Sequence, residues 1–318
     1  MTADATRGEP GRSPRIRVPD GLLALPGFGE PWQTWLDALP RSAADLLDEW
    51  ALTPDGDPTH GRCSLVVPVR TADGDAAVIK LGWPHEEARH EALALQRWHG
   101  QGAVLLLRAD PHRWALLLER AHPRDLTTLD DVTACEVTAG LLSRLHRPAP
   151  PQLGTLSRSV ARWTERLAAL PRSAPVPHRM VEQAVSLGEA FAADPETDGT
   201  LIHTDAHYEN VLAADREPWL VIDPKPLSGD PHYEVAPLLW NRWDEVAAAP
   251  RPVLQRRLDA VVDVLGLDRD RTRDWVVLRE VCNALWTLED AERLRRPLSP
   301  ADRDELTRVV TIVKAVQD

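Results

Sequence analysis

Strand-like runs are confined to two places in this chain, and that segregation does most to limit its fold. Between Cys63 and Arg120 the runs "CSLVVPVR", "AAVIKLG", "AVLLLR" and "RWALLLER" are short and rich in Val, Ile and Leu, as strands are. An Asp-Gly turn in "TADGD" joins the first pair, and "ADPH" joins the second. One helix, "HEEARHEALALQRWHG", separates the hairpins, with acidic residues in its first turn and Gly100 at its end. Strand, strand, helix, strand, strand is most simply an antiparallel sheet carrying one helix. Beyond Arg120 helical periodicity takes over, in "DDVTACEVTAGLLSRLHR" and then over 157–170, 177–193, 232–246, 252–265, 271–293 and 300–316, with "PAPPQLG" as a linker. The main strand-like island there is "LIHTDAHYENVLAADREPWLVIDPKP", Leu201 to Pro226. The expected class is α+β, a small antiparallel β-rich lobe followed by a larger, mostly helical one. Ahead of the sheet, "PWQTWLDALPRSAADLLDEWAL" reads as two short helices parted at Pro40, and residues 1–14 as a disordered tail.

A chain of 318 residues, 43% hydrophobic, has ample material for one large domain or two lobes. No apolar run approaches the roughly 18 residues of a membrane span, and the N-terminus does not resemble a signal peptide, so a cytoplasmic protein without a membrane partner is expected. Cys63, Cys135 and Cys282 are far apart and odd in number, which suits reduced core thiols rather than a disulfide framework. A net charge of -12 argues against nucleic acid and is compatible with a cationic small molecule. The sequence carries no signal of oligomeric state.

Of 37 Lys and Arg residues, only Lys80, Lys225 and Lys314 are lysines. A chain that uses Arg wherever a surface cation will do keeps Lys for what a broad planar fork cannot do, such as presenting a compact charge to phosphate oxygens. Lys80 falls in "AAVIK" and Lys225 in "IDPKP". Phosphoryl transfer from ATP needs a cation on the α/β-phosphates, metal ligands bridging phosphates, and a carboxylate to orient the acceptor hydroxyl. "HTDAHYEN" offers Asp205 and Asn210 at D-x4-N spacing on a loop after a strand, and Asp223 closes the strand "WLVID". A carboxylate and an amide oxygen suit Mg2+. Lys80 can reach the phosphates, and Glu91 on the following helix can hold it, with Glu87 the alternative.

With these parts in place, the chain resembles the aminoglycoside phosphotransferases of the protein-kinase-like superfamily, in the branch of streptomycin 6-phosphotransferases and hydroxyurea-resistance kinases. The similarity runs from "IRVPDGL" to "NALWTLED", and its most specific block is "HYENVLAADREPWLVIDPKPLSGDPHYEVAPLLWNRWDE". The resemblance implies a bilobal fold with a nucleotide-binding N-lobe over 15–118, a hinge at 119–122, a helical C-lobe over 123–318, and nucleotide bound between the lobes. It implies Asp205 as catalytic base, Asn210 and Asp223 as Mg2+ ligands, Lys80 on the ATP phosphates and Glu91 orienting it. It further places Gly61 and Ser64 of "HGRCS" in the nucleotide loop and the backbone near Glu119 and Ala121 against adenine. Two departures stand out. Thr204-Asp205-Ala206 replaces a frequent Gly-Asp-Leu, and Glu234 stands where Asp is usual, its longer arm expected to affect acceptor placement.

An acceptor wall is expected from Glu234, Asp244, Glu289 and Asp290 beside Trp240, Trp243 and Trp286, since carboxylates near aromatic faces suit guanidinium and ammonium groups. The function expected is a small-molecule kinase acting on an alcohol group of a cationic antibiotic, with hydroxyurea, a cyclic basic peptide or a biosynthetic metabolite as rival acceptors. A pseudokinase regulator would be expected to lose Asp205, Asn210 or Asp223, and all three are present. A zinc site at His203-x-Asp205-x-His207 would need a further ligand and leave Lys80 and Asp223 unexplained. His203 and His207 are expected to brace the loop, and Lys225 to touch phosphate or pair with an acidic neighbour.

Overall fold

The computed structural model describes residues 16–27 and 29–317; the tail expected over 1–14 lies outside them. The chain divides into two compact units, one of residues up to Ala92 with Leu105–Arg120, the other of Leu93–Val104 with the chain from Ala121 onward. The first unit opens with α1 (Asp20–Leu23) and α2 (Glu30–Glu49). Contrary to expectation, α2 runs unbroken through Pro40. Its apolar stripe, Trp32, Leu36, Leu39, Ala43, Leu46 and Leu47, is at most 4% exposed along its whole length. An interior proline costs about 3 kcal/mol, whereas burying each large apolar side chain contributes about 1.5–3 kcal/mol, so one continuous face outweighs the lost hydrogen bond.

The sheet consists of β1 (Thr53–Pro54), β2 (Thr59–His60), β3 (Ser64–Arg70), β4 (Ala76–Gly82), β5 (Leu106–Asp110) and β6 (Ala115–Glu119), in the order β1-β3-β4-β6-β5 with β2 also on β3. Every pairing is antiparallel, and β4 lies inside, with Lys80 opposite Val66 on one side and Leu116 on the other. Period-two alternation sends Ala77, Ile79 and Leu81 to the core beside α2, and Lys80 to the opposite face.

The helix expected from His85 to Gly100 is shorter. A 3-10 turn, Glu86–Ala88, precedes α3 (Glu91–Trp98), because Glu86, Glu87 and Arg89 are exposed and give this start no apolar face to bury. The strand expected from Ala103 begins only at Leu106. Residues 93–104 also belong with the second unit, not with a small lobe extending unbroken over 15–118. Their reasons are polar: the Trp98 indole donates to Leu145 O at 2.9 Å, Val104 N–H donates to Val221 O at 3.1 Å, and Val221 N–H donates to Gly102 O at 2.9 Å. The division near the expected hinge falls between Arg120 and Ala121, just after Glu119 ends β6.

The second unit holds α4 (Asp131–Leu145), β7 (Arg147–Pro148), α5 (Leu156–Ala168), α6 (His178–Ala193), β8 (Thr200–Ile202), β9 (Val211–Ala213), β10 (Trp219–Val221) and β11 (Leu227–Gly229). These are followed by α7 (Ala236–Leu239), α8 (Trp243–Val246), α9 (Pro250–Leu265), α10 (Arg269–Arg293) and α11 (Pro300–Gln317). Two small antiparallel sheets, β9-β10 and β7-β8-β11, form the island expected between Leu201 and Pro226. The helix expected over 232–246 is instead a 3-10 turn at Pro231–Glu234 and the two short helices α7 and α8, interrupted where Arg242 takes a left-handed φ of 49°. Fully buried Arg257 accounts for the break: its Nη1 donates to the carbonyls of Leu238, Leu239 and Asn241, which a continuous helix would have used itself. No helix among the described residues is long and apolar enough to cross a membrane.

Glu280, fully buried on α10, is a pH lever within this packing. Burial pushes its carboxyl up to about 8, with Glu305 adding to the effect and Arg308 and Arg279 opposing it. The folded state therefore holds a proton that the unfolded chain releases above its ordinary value of 4.5. Stability should fall as pH rises through that window, by up to about 1.4 kcal/mol per pH unit. Glu280→Gln should flatten the slope, raising Tm at pH 8 more than at pH 5; an unchanged pH dependence of thermal unfolding would contradict this.

Candidate active site

In the first unit, alternation along β4 delivers Lys80 to the face where α3 begins. Lys80 Nζ donates to both Glu91 oxygens at 2.7 Å, and the two residues are 8% and 5% exposed. Glu91 heads its helix, where the N-terminal dipole favours a carboxylate. Glu87 is exposed on the preceding turn. A buried ion pair is poor evidence for stability, since desolvation consumes most of its attraction. Its expense is better explained by a need for a held, dry ammonium.

The second unit carries the polar loop. β8 leads through His203, Thr204 and Asp205 into the 3-10 turn Tyr208–Asn210, and β9 and β10 return the chain to Asp223. In that hairpin Val211 faces Val221, and Ile222 N–H donates to Asn210 O at 2.9 Å. The register thus brings Asn210 alongside the 222–223 segment although they lie far apart in sequence. The Asn210 Nδ2 donates to Asp205 O at 2.9 Å, so its Oδ1 is the atom that could serve as a hard oxygen donor. Asp223, at a left-handed φ of 55°, adds a carboxylate. Two hard oxygen donors fit Mg2+.

His203 is fully buried and stacks on Trp98 at 6.0 Å. Its Nδ1 accepts from Asp205 N–H at 3.2 Å, so the proton sits on Nε2, which donates to Ile222 O at 2.9 Å. Burial lowers its pKa and keeps this neutral tautomer. With both nitrogens engaged, His203 cannot ligate zinc. No cluster of three or more His, Cys, Asp or Glu side chains suited to a metal occurs among the described residues.

Ahead of Asp205, Thr204 takes a φ of 66°, which is strained for a β-branched residue and easy for glycine. Three hydrogen bonds hold it there or beside it. Glu234 Oε1 accepts from His203 N–H at 2.6 Å and from Thr204 N–H at 2.9 Å, and the Thr204 hydroxyl donates to Lys225 O at 2.7 Å. The other oxygen of Glu234 accepts from His146 Nε2 at 2.5 Å.

A family model described as aminoglycoside/hydroxyurea antibiotic resistance kinase matches residues 49–291. The chain belongs to that family. Across 89% of its length it is 40% identical to streptomycin 6-kinase of Streptomyces glaucescens, covering 94% of that protein. It is 39% identical over 83% of its length to hydroxyurea phosphotransferase of Kitasatospora aureofaciens, covering 77% of that one. Among solved structures, a spectinomycin phosphotransferase with bound ADP and spectinomycin shares the fold at a TM-score of 0.58 and 14% identity, over 87% of this chain and 97% of the other. A family phosphotransferase therefore carries the polar loop described above.

Other residues expected at the site fall in varied settings. Gly61 and Ser64 close the tight β2–β3 turn, with Gly61 N–H donating to Ser64 O at 3.0 Å. A Cβ on residue 61 would come within 2.8 Å of Ser64 Oγ, so a side chain there would force that hydroxyl to turn away. Glu119 ties its carboxylate to Leu105 N–H at 3.0 Å, leaving its backbone at the strand end, and Ala121 follows at the start of the second unit.

The expected acceptor wall changes more. Glu234 is 0% exposed and committed to the loop, so it is no wall residue; its longer arm is taken up in reaching His146. Glu289 is paired with Arg166 and Asp290 with Arg293, while Asp244 is exposed. Trp240 is half-buried, and Trp286 packs edge-on against Trp163 at 5.4 Å with Arg279 over its ring at 4.9 Å. Sequence reasoning passed over Trp163, Arg279, Arg166 and His146, which carry no local motif and meet their partners only through helix packing.

Glu234 yields a graded expectation. Glu234→Ala leaves the buried N–H groups of His203 and Thr204 without an acceptor and should cost about 2–5 kcal/mol in denaturant unfolding. Glu234→Gln keeps an oxygen for both and should cost about 1 kcal/mol. Equal losses from the two variants would show that shape, not the acceptor oxygen, holds the loop.

Proposed function

We propose that this phosphotransferase moves the γ-phosphoryl group of Mg-ATP to a hydroxyl of a cationic, guanidinium-bearing aminoglycoside of the streptomycin type, giving resistance or self-protection in the cytoplasm. The observation that carries the reading is the loop itself, with Asp205 on a rigid turn whose backbone carbonyl is hydrogen-bonded by Asn210, which the β9–β10 register brings alongside the 222–223 segment. Asp205 accepts the hydroxyl proton as the acceptor oxygen bonds to phosphorus and the bond to ADP breaks. Asn210 Oδ1 and the Asp223 carboxylate would hold Mg2+, which would supply charge neutralisation at the phosphates. Lys80, kept in place by Glu91, binds the α/β-phosphates, with the β2–β3 turn and the backbone near Glu119 and Ala121 serving the rest of the nucleotide.

The acceptor assignment leans on the match to streptomycin 6-kinase, which spans 94% of that protein, against 77% of the hydroxyurea phosphotransferase. The net charge of -12 and exposed Asp244 favour a cation over a small neutral acceptor. Glu289 and Asp290 can contribute once Arg166 and Arg293 exchange for the ligand. Two shielded charge-assisted contacts, each about 1.5–3 kcal/mol, would favour the cation by roughly 100-fold or more in kcat/KM. The test is kcat/KM on streptomycin and on hydroxyurea. A reversed ranking sinks the streptomycin assignment while leaving the kinase intact.

Asp205→Asn should lower kcat by roughly 100- to 10,000-fold while ATP affinity changes little. Unchanged turnover removes Asp205 from its role. Lys80→Arg keeps the charge but swaps a compact ammonium for a wide fork facing a buried carboxylate, and should lose most activity. Lys314→Arg, exposed on α11, should be silent in the same assay. Equal effects at both positions would show that the scarcity of lysine carries no information.

A further inference from the structure

Lys225 sits between two prolines in "DPKP" and places its ammonium on the Asp205 carboxylate, against Oδ2. We propose that Lys225 is a positioning residue for phosphoryl transfer, gripping one oxygen of Asp205 so that the other is presented to the acceptor hydroxyl. The inference rests on Asp205 being the base.

The backbone of Asp205 is already fixed. Its N–H donates to His203 Nδ1, and its carbonyl accepts from Asn210 Nδ2 and from His207 N–H, each at 2.9 Å. What these bonds leave unset is rotation of the side chain, and a carboxylate turned away from the hydroxyl is useless as a base. Lys225 is built to set it. Its N–H donates to His203 O at 3.0 Å and its carbonyl accepts from Thr204 Oγ1 at 2.7 Å, so the residue is tied to both positions preceding the base. These bonds lie just beyond the Ile202–Leu227 pair at which the β8–β11 ladder ends. Pro224 and Pro226 restrict the backbone on either side. The lysine stem therefore starts from a fixed point and reaches a fixed point.

The residue type follows from the same geometry. Here the ammonium lies against Oδ2 as a point charge. A guanidinium prefers to take both carboxylate oxygens in parallel, which would occupy the oxygen needed by the substrate. The chain uses arginine nearly everywhere else and lysine here. The pair is not there for stability: Lys225 is 32% exposed at its side chain, and ion pairs in such settings contribute little to folding. Lys225 also lies two residues from Asp223, so its charge offsets part of the local excess of carboxylate that the incoming triphosphate would otherwise meet.

The experiment is a double-mutant cycle on the full chain with streptomycin as acceptor, read as kcat, ATP Kd and Tm. Lys225→Met should lower kcat by roughly 30- to 300-fold with ATP Kd within about threefold and Tm within about 3 °C. In the Asp205→Asn background the same change should lower kcat by less than about threefold, because the carboxylate it orients is gone. Lys225→Arg should resemble Lys225→Met more than the parent, and it carries the same cycle should the methionine variant lose cooperative melting. The proposal is overturned by a Lys225→Met kcat within threefold of the parent, by losses that multiply fully in the cycle, or by an ATP Kd that worsens as much as kcat falls. That last result would make Lys225 a phosphate ligand. If Asp205→Asn is itself silent, the base assignment falls and this inference with it; a damaging Asp205→Asn beside a silent Lys225→Met overturns the inference alone.

Discussion

A carboxylate without water around it, that of Glu234, holds the rest of the proposed site in place. The segment His203-Thr204-Asp205 must turn sharply at the end of β8, and Thr204 meets that demand in the left-handed region, at a cost of order 1 kcal/mol for a non-glycine residue. Two successive N–H groups then point inward to one oxygen of Glu234, at 2.6 and 2.9 Å. Hydrogen bonds to a charged acceptor in a dry interior are strong, and an unmade one is expensive. The strain and the buried charge explain each other: the carboxylate exists to hold the turn, and the turn supplies the donors that make its burial tolerable. His146 completes the arrangement on the far oxygen.

The turn after Asp205 is anchored from below by a different set of groups. Tyr208 is buried; its hydroxyl meets Cys135 Sγ at 3.1 Å and donates to Asp131 O at 3.3 Å, while its N–H donates to Asn241 Oδ1 at 3.2 Å. Burial drives the phenol pKa far up and that of the Cys135 thiol up to about 11, so both remain neutral partners. The loop is thereby fixed on its two flanks by α4, by Asn241 between α7 and α8, and by the turn at Pro231–Glu234. Rigidity of this kind is what phosphoryl transfer asks of a protein, since positioning and electrostatics do nearly all of the work.

Much of this was legible in the sequence, and what was legible had a local cause. Alternation along "AAVIK" is enough to put Lys80 on the face opposite Ala77 and Ile79, and D-x4-N followed by a strand ending in Asp223 is enough to bring out the loop. The failures share one origin, tertiary contact overriding local preference. Pro40 reads as a break until the stripe from Trp32 to Leu47 is seen to bury as one face. The stretch over 232–246 reads as one helix until Arg257, many residues later, draws off the carbonyls of Leu238, Leu239 and Asn241. Residues 93–104 read as part of the small lobe because nothing nearby in sequence reveals that Val104 pairs with Val221. Glu234 was visible as a departure from the family pattern, but its acidic character suggested a pocket wall. Only its burial, and the two amides in front of it, show that it faces inward.

The division of labour between arginine and lysine gives the same lesson from the chemistry of the side chains. Arg257 is fully buried, with Nε on Asp131 at 2.6 Å and Nη1 shared among three carbonyls, a task for a group with several donors at fixed angles. Lys80 pairs with the Glu91 carboxylate and Lys225 with that of Asp205. A guanidinium would satisfy those carboxylates at least as well, so satisfying them cannot be the reason for lysine. The difference lies in what remains afterwards. An ammonium bound to one carboxylate keeps its charge concentrated on one small atom, available to an anion that arrives later. A guanidinium spreads its charge over a plane already aligned with its partner. On the proposed reading, Lys80 keeps that capacity for the nucleotide phosphates, while Lys225 leaves the second oxygen of Asp205 uncovered for the acceptor hydroxyl.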